Sequence, residues 1–509
     1  MTKLSTYTTR WGISLIALAG LAFLLSFTTS ATAHARSAQV VVLEDAGAGN
    51  GPERAVQGLG GSVEREIPLI RGFSARVPRS AVRALRGTPG VLSVHADRRF
   101  KVRSTTEVSA GLLAEAPATP STTLDTLRAT VGADRVAGGP ADVALIDSGV
   151  SPDAALAGHV VNGPDFSDDA HSKAQRHLDA LGHGTHLAGI VAAVAPQARV
   201  VNVKVADHEG NTSLGNLLAG IDWAARRGDR NGLDVRVLNL AFGAETDGSY
   251  INDPLAYAVE QARNEGLVVV ISAGNGGHDT GSLDSPAYDP YVVAVGAEDS
   301  GATATLADDG IAPFSSRGSA TRGPDVVAPG VAILSTRVPG SLFDEAFPEA
   351  RIDDGFRGSG TSQAAAVVSG AAALLVGARP GLKPDQVKHL LRATARPLAD
   401  TDTSLQGAGV INVAAAARST APNVTQRFPN ARPGSGWRRG EVRDQYAVET
   451  PSANRWGANR WGANRWGANR WGANRWGANR WGANRWGANR WGANRWGSDG
   501  WSSVEGGDS

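Results

Sequence analysis

The chain contains no cysteine. That absence excludes disulfides, thiolate zinc sites and thiol nucleophiles together, and it removes cysteine usage as a guide to redox compartment. An imbalance of charge is missing too. With 50 Lys and Arg against 49 Asp and Glu, the formal net charge is +1, so no global field points to nucleic acid or membrane partners. After the N-terminus no second apolar run reads as a membrane span. What remains is ordinary for a folded protein: hydrophobic residues make up 42% and charged residues 19%, enough to build a large core. At 509 residues the chain exceeds the size at which one core keeps growing, so more than one folding unit is expected.

Lys3 and Arg10 precede an apolar stretch over residues 11–27, and Ala33-His34-Ala35 then supplies small residues. This is the pattern of a secretory signal cut after Ala35, which implies a secreted protein with no remaining membrane span. Residues 36–104 read as a small α+β domain, with strands over 39–43, 62–67, 72–77 and 91–96 and helices between them. Ser80 is placed to cap the second helix and Gly87 to end it. The order β-α-β-β-α-β is the ferredoxin-like arrangement, its first helix weakened by glycines. Residues 105–120, rich in Ala, Ser, Thr and Pro, read as an exposed linker of the kind proteases cut.

From 121 to 417, apolar strands over 143–146, 200–205, 235–240, 267–272 and 292–295 alternate with helical stretches such as 214–225 and 253–264. Strands that are apolar on both faces, separated by helices, predict an α/β domain: a mainly parallel sheet covered on both sides. Its ligand crevice should lie beyond the carboxyl ends of the strands. Residues 418–452 read as a second linker, and 453–497 hold nine copies of Ala-Asn-Arg-Trp-Gly, followed by a short tail over 498–509. A five-residue period lines up on neither a helix face nor a strand face, so the repeats are expected to be flexible. One Arg and one Trp per copy would suit an anionic cell-wall polymer, through ion pairing and stacking.

Four residues fall at crevice positions. Asp147 ends a strand, and His183 opens a helix between two glycines in Gly182-His183-Gly184-Thr185-His186. Asn275 follows a strand in Ser272-Ala-Gly-Asn275, and Ser362 begins a long apolar helix in Gly358-Ser-Gly-Thr-Ser362. Each has a plain structural alternative, as turn former, cap or core histidine. Together they make a chemical set: a serine hydroxyl needs a base, the base a carboxylate to fix its tautomer, and the tetrahedral intermediate an amide donor. Metal binding by His183 and His186 is disfavoured by their i,i+3 spacing and the lack of an intervening Glu.

These segments, in this order, resemble the subtilisin-like serine proteases over residues 121–417. They are Val143-Ala-Leu-Ile-Asp147-Ser-Gly-Val150, His183-Gly-Thr-His-Leu-Ala-Gly189, Ser272-Ala-Gly-Asn275 and Gly360-Thr-Ser362-Gln-Ala-Ala365, with Phe314-Ser-Ser-Arg-Gly318 and Pro324-Asp-Val-Val-Ala-Pro-Gly330 in support. The resemblance implies a secreted endopeptidase that acts on protein or peptide substrates, with Asp147 orienting His183, His183 as base then acid, Ser362 as nucleophile and Asn275 in the oxyanion hole. It implies that residues 36–104 are a propeptide that assists folding and inhibits the enzyme, that Ala241, Phe242 and Gly243 line the substrate, and that the enzyme acts as a monomer. The chain departs from the family at Ala241-Phe242-Gly243, where Ser-Leu-Gly is usual, at Gln363 in place of a frequent Met, which favours resistance to oxidation, and at Ala366 in place of Pro. Two alternatives stay open: an inactive peptide-binding protein of this fold, and a surface-binding protein acting through its Arg/Trp tail.

Between Gly189 and Val200 there is no room for the longer loop that helps bind calcium in many relatives, so no metal or cofactor is expected. A ligand that binds only the folded state adds stability by mass action. Chelation should therefore leave the melting temperature at neutral pH nearly unchanged; a large drop reversed by calcium would reveal another site.

Overall fold

The computed structural model describes residues 37–101, 120–228, 232–243, 249–319, 321–433 and 501–503. The signal segment over 1–35, nearly all of the first linker, most of the second and all nine repeats lie outside the described residues.

The N-terminal unit is an antiparallel sheet with two helices. In chain order it comprises β1 (Ser37–Glu44), α1 (Gly51–Gly58), β2 (Ser62–Ile67), β3 (Gly72–Pro78), α2 (Val82–Arg86) and β4 (Val91–Ala96). The strands lie in the order β2-β3-β1-β4, which is the ferredoxin-like order predicted. Val40, Val42, Phe73, Ala75, Val77 and Val94 form its core with Val56 and Leu85 from the helices. Alternate strand residues therefore face the helices. Ser80 is not a cap: it sits in a short 3-10 turn, Arg79–Ala81, and the helix that follows has no side-chain cap. Pro78 fixes an extended entry into this turn, and the turn absorbs the serine before the helix starts.

Beyond α3 (Leu124–Val131), the larger unit is built on β6 (Asp142–Asp147), β7 (Val160–Asp165), β8 (Val200–Lys204), β10 (Val235–Leu240), β11 (Val268–Ser272), β12 (Val293–Asp299), β13 (Gly310–Ile311) and β14 (Val326–Pro329). Two short strands, β5 (Arg99–Lys101) and β9 (Asn211–Ser213), pair with each other outside this sheet. The main order is β13-β12-β11-β10-β6-β8-β7, with β14 beside β12. All pairings are parallel except β12 with β13. β6 lies at the centre, and the chain winds from it first to one side and then to the other. That reversal is the switch point at which a parallel sheet opens a crevice.

Two cores lie on the two faces of the sheet. Val143 and Leu145 join one, packed by α4 (His183–Val194) and α7 (Thr361–Ala378). Ala144 and Ile146 join the other, packed by α5 (Leu214–Arg227) and α6 (Pro254–Asn264). The period of two along one strand thus feeds both layers. By length and composition α7 could cross a membrane, yet 89% of its 18 residues are buried inside the fold. It is a core helix, apolar all round because the protein encloses it.

The small unit sits on the second face. Val41, Leu43, Ile67, Leu69 and Ile70 join the core beneath α5, Asp97 accepts the Gly215 amide at 2.7 Å near the start of α5, and Asp222 accepts the Leu69 amide at 2.7 Å. At the other end, residues 419–433, expected to open a linker, instead pack on the domain. Tyr250 and Tyr291 donate to the carbonyls of Pro429 and Phe428 at 2.5 Å each, and Ala431 donates to Glu260. A strand over Val424–Gln426 pairs antiparallel with Trp501–Ser503.

Candidate active site

Asp147 ends the central strand and is followed by Ser148-Gly149, where φ of +112° at Gly149 turns the chain sharply. A side chain there would strike the Leu178 carbonyl oxygen at 2.6 Å, so glycine is required both by conformation and by space. Across the turn, α4 begins at His183, and its second residue, Gly184, lies so close that an added Cβ would fall 2.2 Å from the Gly149 carbonyl oxygen. This approach brings His183 Nδ1 within 2.8 Å of Asp147 Oδ1. Both side chains are almost fully buried, at 6% and 1% exposure.

A carboxylate only accepts hydrogen bonds, so Nδ1 carries the proton and Nε2 is left bare in the neutral ring. Burial pulls the imidazole down, but the charge and hydrogen bond of Asp147, with Asp179 behind it, outweigh burial and hold the His183 pKa above its ordinary 6.5. Asp179 is the residue that sequence reading missed. Its carboxylate accepts from Ser148 Oγ, the Gly182 amide, the Thr185 amide and Thr185 Oγ1, all within 2.8 Å. Ser148 Oγ in turn accepts from the Gly184 amide at 3.1 Å. Asp179 thus ties the turn after β6 to the first turn of α4. The available signal was a lone Asp four residues before His183, which is too weak to read without the fold.

His186 points away from His183. Its Nε2 donates to the carbonyls of Ile333 and Phe356 at 3.2 and 3.1 Å, and burial with the neighbouring imidazole lowers its pKa to about 4. It is a neutral core histidine. Among the described residues no cluster of three or more His, Asp or Glu side chains is arranged to hold a metal.

Ser362 is the second residue of α7, after Gly360 and Thr361. It is therefore not the cap but a first-turn residue, beside backbone amides that have no partner within the helix. Asn275 follows β11, and its Oδ1 accepts from both the Thr361 amide and Thr361 Oγ1 at 2.9 Å. With its oxygen taken, the Asn275 Nδ2 group is directed elsewhere. Gly274 donates to Thr361 Oγ1 at 3.3 Å, so the turn after β11 is bonded to the residue before Ser362. Two pairings are thus formed, Asp147 with His183 and Asn275 with the start of α7. Among the described residues Ser362 Oγ makes no hydrogen bond, and catalytic contacts commonly tighten only when substrate is bound. Ala241, Phe242 and Gly243 follow β10. Ala241 and Phe242 are buried in the two core layers, so the main chain is what this segment can present.

A fold of this topology with an acid, a base, an amide and a serine at one sheet edge defines a class, and comparison with known proteins agrees. Residues 140–413 match the subtilase family of peptidases. The chain is 36% identical over 288 residues to serine protease AprX of Bacillus subtilis strain 168, a match covering 53% of this chain and 64% of AprX. It is 31% identical over 373 residues to subtilisin E of the same strain, covering 70% and 84% respectively. Fervidolysin from Fervidobacterium pennivorans, a keratinolytic enzyme related to subtilisin, shares the fold at a TM-score of 0.59 and 24% identity, covering 77% of this chain and 62% of fervidolysin. The chain belongs to the subtilase family and is a subtilisin-like serine endopeptidase.

The closeness of Gly184 to Gly149 generates a test. In Gly184→Ala the new methyl would meet a backbone oxygen at 2.2 Å and Asp147 Oδ1 at 3.1 Å, so α4 must shift and carry His183 with it. A shift of about 1 Å should lower kcat/KM by roughly 10², measured on enzyme that retains its circular dichroism. Unchanged kcat/KM would show that the turn and the helix can separate without cost.

Proposed function

We propose that this endopeptidase is a secreted precursor that hydrolyses peptide bonds through an acyl-enzyme on Ser362 and frees itself from its own N-terminal domain. The observation that carries the reading is the buried 2.8 Å bond from His183 to Asp147, on the same sheet edge as the first turn of α7. In this reading the bare Nε2 of His183 takes the Ser362 hydroxyl proton as Oγ attacks the carbonyl carbon. The oxygen that becomes negative is held by Asn275 Nδ2 and the Ser362 amide, with the positive end of α7 behind it. His183 then gives the proton to the leaving amine, and water repeats the sequence to release the acyl group. Asp147 stays ionised throughout and fixes the tautomer.

The leader over 1–35 supports secretion. The domain over 36–104 is read as the propeptide, supported by its docking on α5 through Asp97, Leu69 and the apolar residues of β1 and β2. Cleavage within residues 105–120 would release it. The repeats over 453–497 are read as a tether for an anionic cell-wall polymer, a reading that rests on their Arg and Trp content alone.

Three outcomes are expected. Ser362→Ala should accumulate as the unprocessed chain in a host without other proteases, seen as one band at the precursor mass; a fully processed mutant would contradict self-cleavage. Asn275→Ala should lower kcat by roughly 10²–10³ with little change in KM; that magnitude comes from a subtilisin, so it is carried over within the family rather than derived. The pH profile follows from the raised His183 pKa. His183 must be neutral to act as base, so kcat/KM should rise with pH along a limb whose midpoint lies above 6.5. The stabilising charge pair runs the other way: it is fully present below 6.5 and lost as pH climbs through the raised value. A limb centred below 6.5 would refute the assigned electrostatics.

A further inference from the structure

His183 is bordered by an apolar surface that the catalytic scheme does not use. β15 (Ile333–Thr336) and β17 (Gly355–Gly358) pair antiparallel, and β17 runs directly into the glycine-rich segment that opens α7. Between these strands the chain makes an excursion over residues 337–352 that reaches across to the base. Its tip, a short helix over Leu342–Ala346, is bonded to the segment before α4: the Leu342 and Phe343 amides donate to the carbonyls of Ala180 and Leu181 at 2.9 and 3.1 Å. Gly182 permits this approach, since an added Cβ would lie 2.6 Å from Ser341 Oγ and 3.7 Å from Phe343 Cβ. The Phe343 ring then stands edge-to-face with the His183 imidazole, their centroids 6.4 Å apart, and Phe347 stands in the same way to Phe343 at 6.4 Å.

Charge holds the excursion in place. Asp344, itself buried, accepts from Arg337 Nη2 at 3.1 Å, Arg351 Nε at 3.0 Å and the Gly340 amide at 2.9 Å, and its own amide donates to Ser341 Oγ at 3.3 Å. Yet this braced segment leaves apolar side chains towards solvent. Phe343 and Phe347 are half-buried, and of the three large hydrophobic side chains exposed among the described residues, two, Leu178 and Leu342, lie on the joined segments. Apolar surface gathered in one place and left open is the mark of an interaction site. Which part of a substrate meets it follows from the chemistry. His183 protonates the leaving amine, so the residue that supplies that amine sits against His183, while the acyl part lies towards Asn275 at the exit of β11. The side chain of the amine-bearing residue starts two bonds from the nitrogen, within reach of the ring beside the imidazole.

We propose that Phe343, with Leu342 and Phe347, forms an apolar ledge that selects a large apolar residue immediately after the scissile bond. The proposal rests on the reading of Ser362 as the nucleophile that carries the acyl group. It is tested on the processed full-length enzyme by acylating Ser362 from one ester substrate and letting leucinamide, alaninamide and argininamide compete with water for the acyl group. In that transfer the amine nitrogen bonds to the acyl carbon, the ester bond to Ser362 Oγ breaks, and His183 carries the amine proton to Oγ. The ratio of transfer products is set after acylation, so it reads the leaving-group side alone and is insensitive to the fraction of enzyme that is folded. Laying one face of a leucine side chain on an apolar surface is worth roughly tenfold, so wild type should capture leucinamide about tenfold better than alaninamide. Phe343→Ala should shrink that ratio by roughly 3–10-fold. Leu342→Glu, at an exposed position that tolerates a charge, should lower capture of leucinamide relative to argininamide. Equal capture of leucinamide and alaninamide by wild type, a ratio unmoved in both variants, or no transfer product from enzyme whose Ser362 is labelled by a serine-directed phosphonate overturns the ledge and leaves the peptidase reading intact. Absence of both transfer and labelling overturns the two together.

Discussion

The hydrogen bond between Asp147 and His183 constrains the rest of the structure. It asks for two buried ionisable groups to meet between a strand end and a helix start. Burying charge is costly unless it is paired and hydrogen-bonded, and the surroundings are arranged to meet that cost. β6 is the central strand of the sheet, paired with β10 as far as Ile146 and with β8 as far as Asp147, which lies opposite Lys204. Two facing glycines, 149 and 184, let the turn and the helix close to backbone contact. Asp179, fully buried, gathers four donors from both segments. Removing one member of such a network leaves the others buried without partners, a loss of about 3–5 kcal/mol for a broken buried pair.

The other half of the site depends on a different constraint, the burial of α7. A helix enclosed on all sides has a fixed axis and depth, so its first turn is as well placed as the sheet itself. Thr361 converts that rigidity into position: its amide and hydroxyl hold Asn275 Oδ1, and its hydroxyl also receives the Gly274 amide. Asn275 is thereby locked to the residue next to Ser362. α4 and α7 pack on the same face of the sheet, which places His183 and Ser362 in a common layer.

Much of this was legible in the sequence because the signals are local. Near-continuous apolar runs marked the parallel strands, and the run at 235–240 matches β10 residue for residue. Glycines beside His183 and before Ser362 marked places of close approach. Features that depend on distant contacts were not legible. Ser80 looked like a cap, but Pro78 sets a 3-10 turn ahead of the helix. Residues 419–433 looked like a linker because Pro and Arg are frequent there, yet tyrosines 250 and 291 hold their carbonyls from far along the chain. Asp179 is a single acid in an unremarkable context, and only the fold shows that it braces the turn after β6 against the first turn of α4.

Asp147 sets the tautomer of His183, and nitrogen chemical shifts read that tautomer directly. With ten histidines in the chain, the ring nitrogens of His183 can be assigned by comparing the histidine-labelled protein with His183→Gln, both in the Ser362→Ala background to prevent autolysis. Above its pKa, His183 should show a protonated Nδ1 and a bare Nε2, and Asp147→Ala should abolish that preference. A neutral His183 carrying its proton on Nε2 in the intact protein would contradict the account.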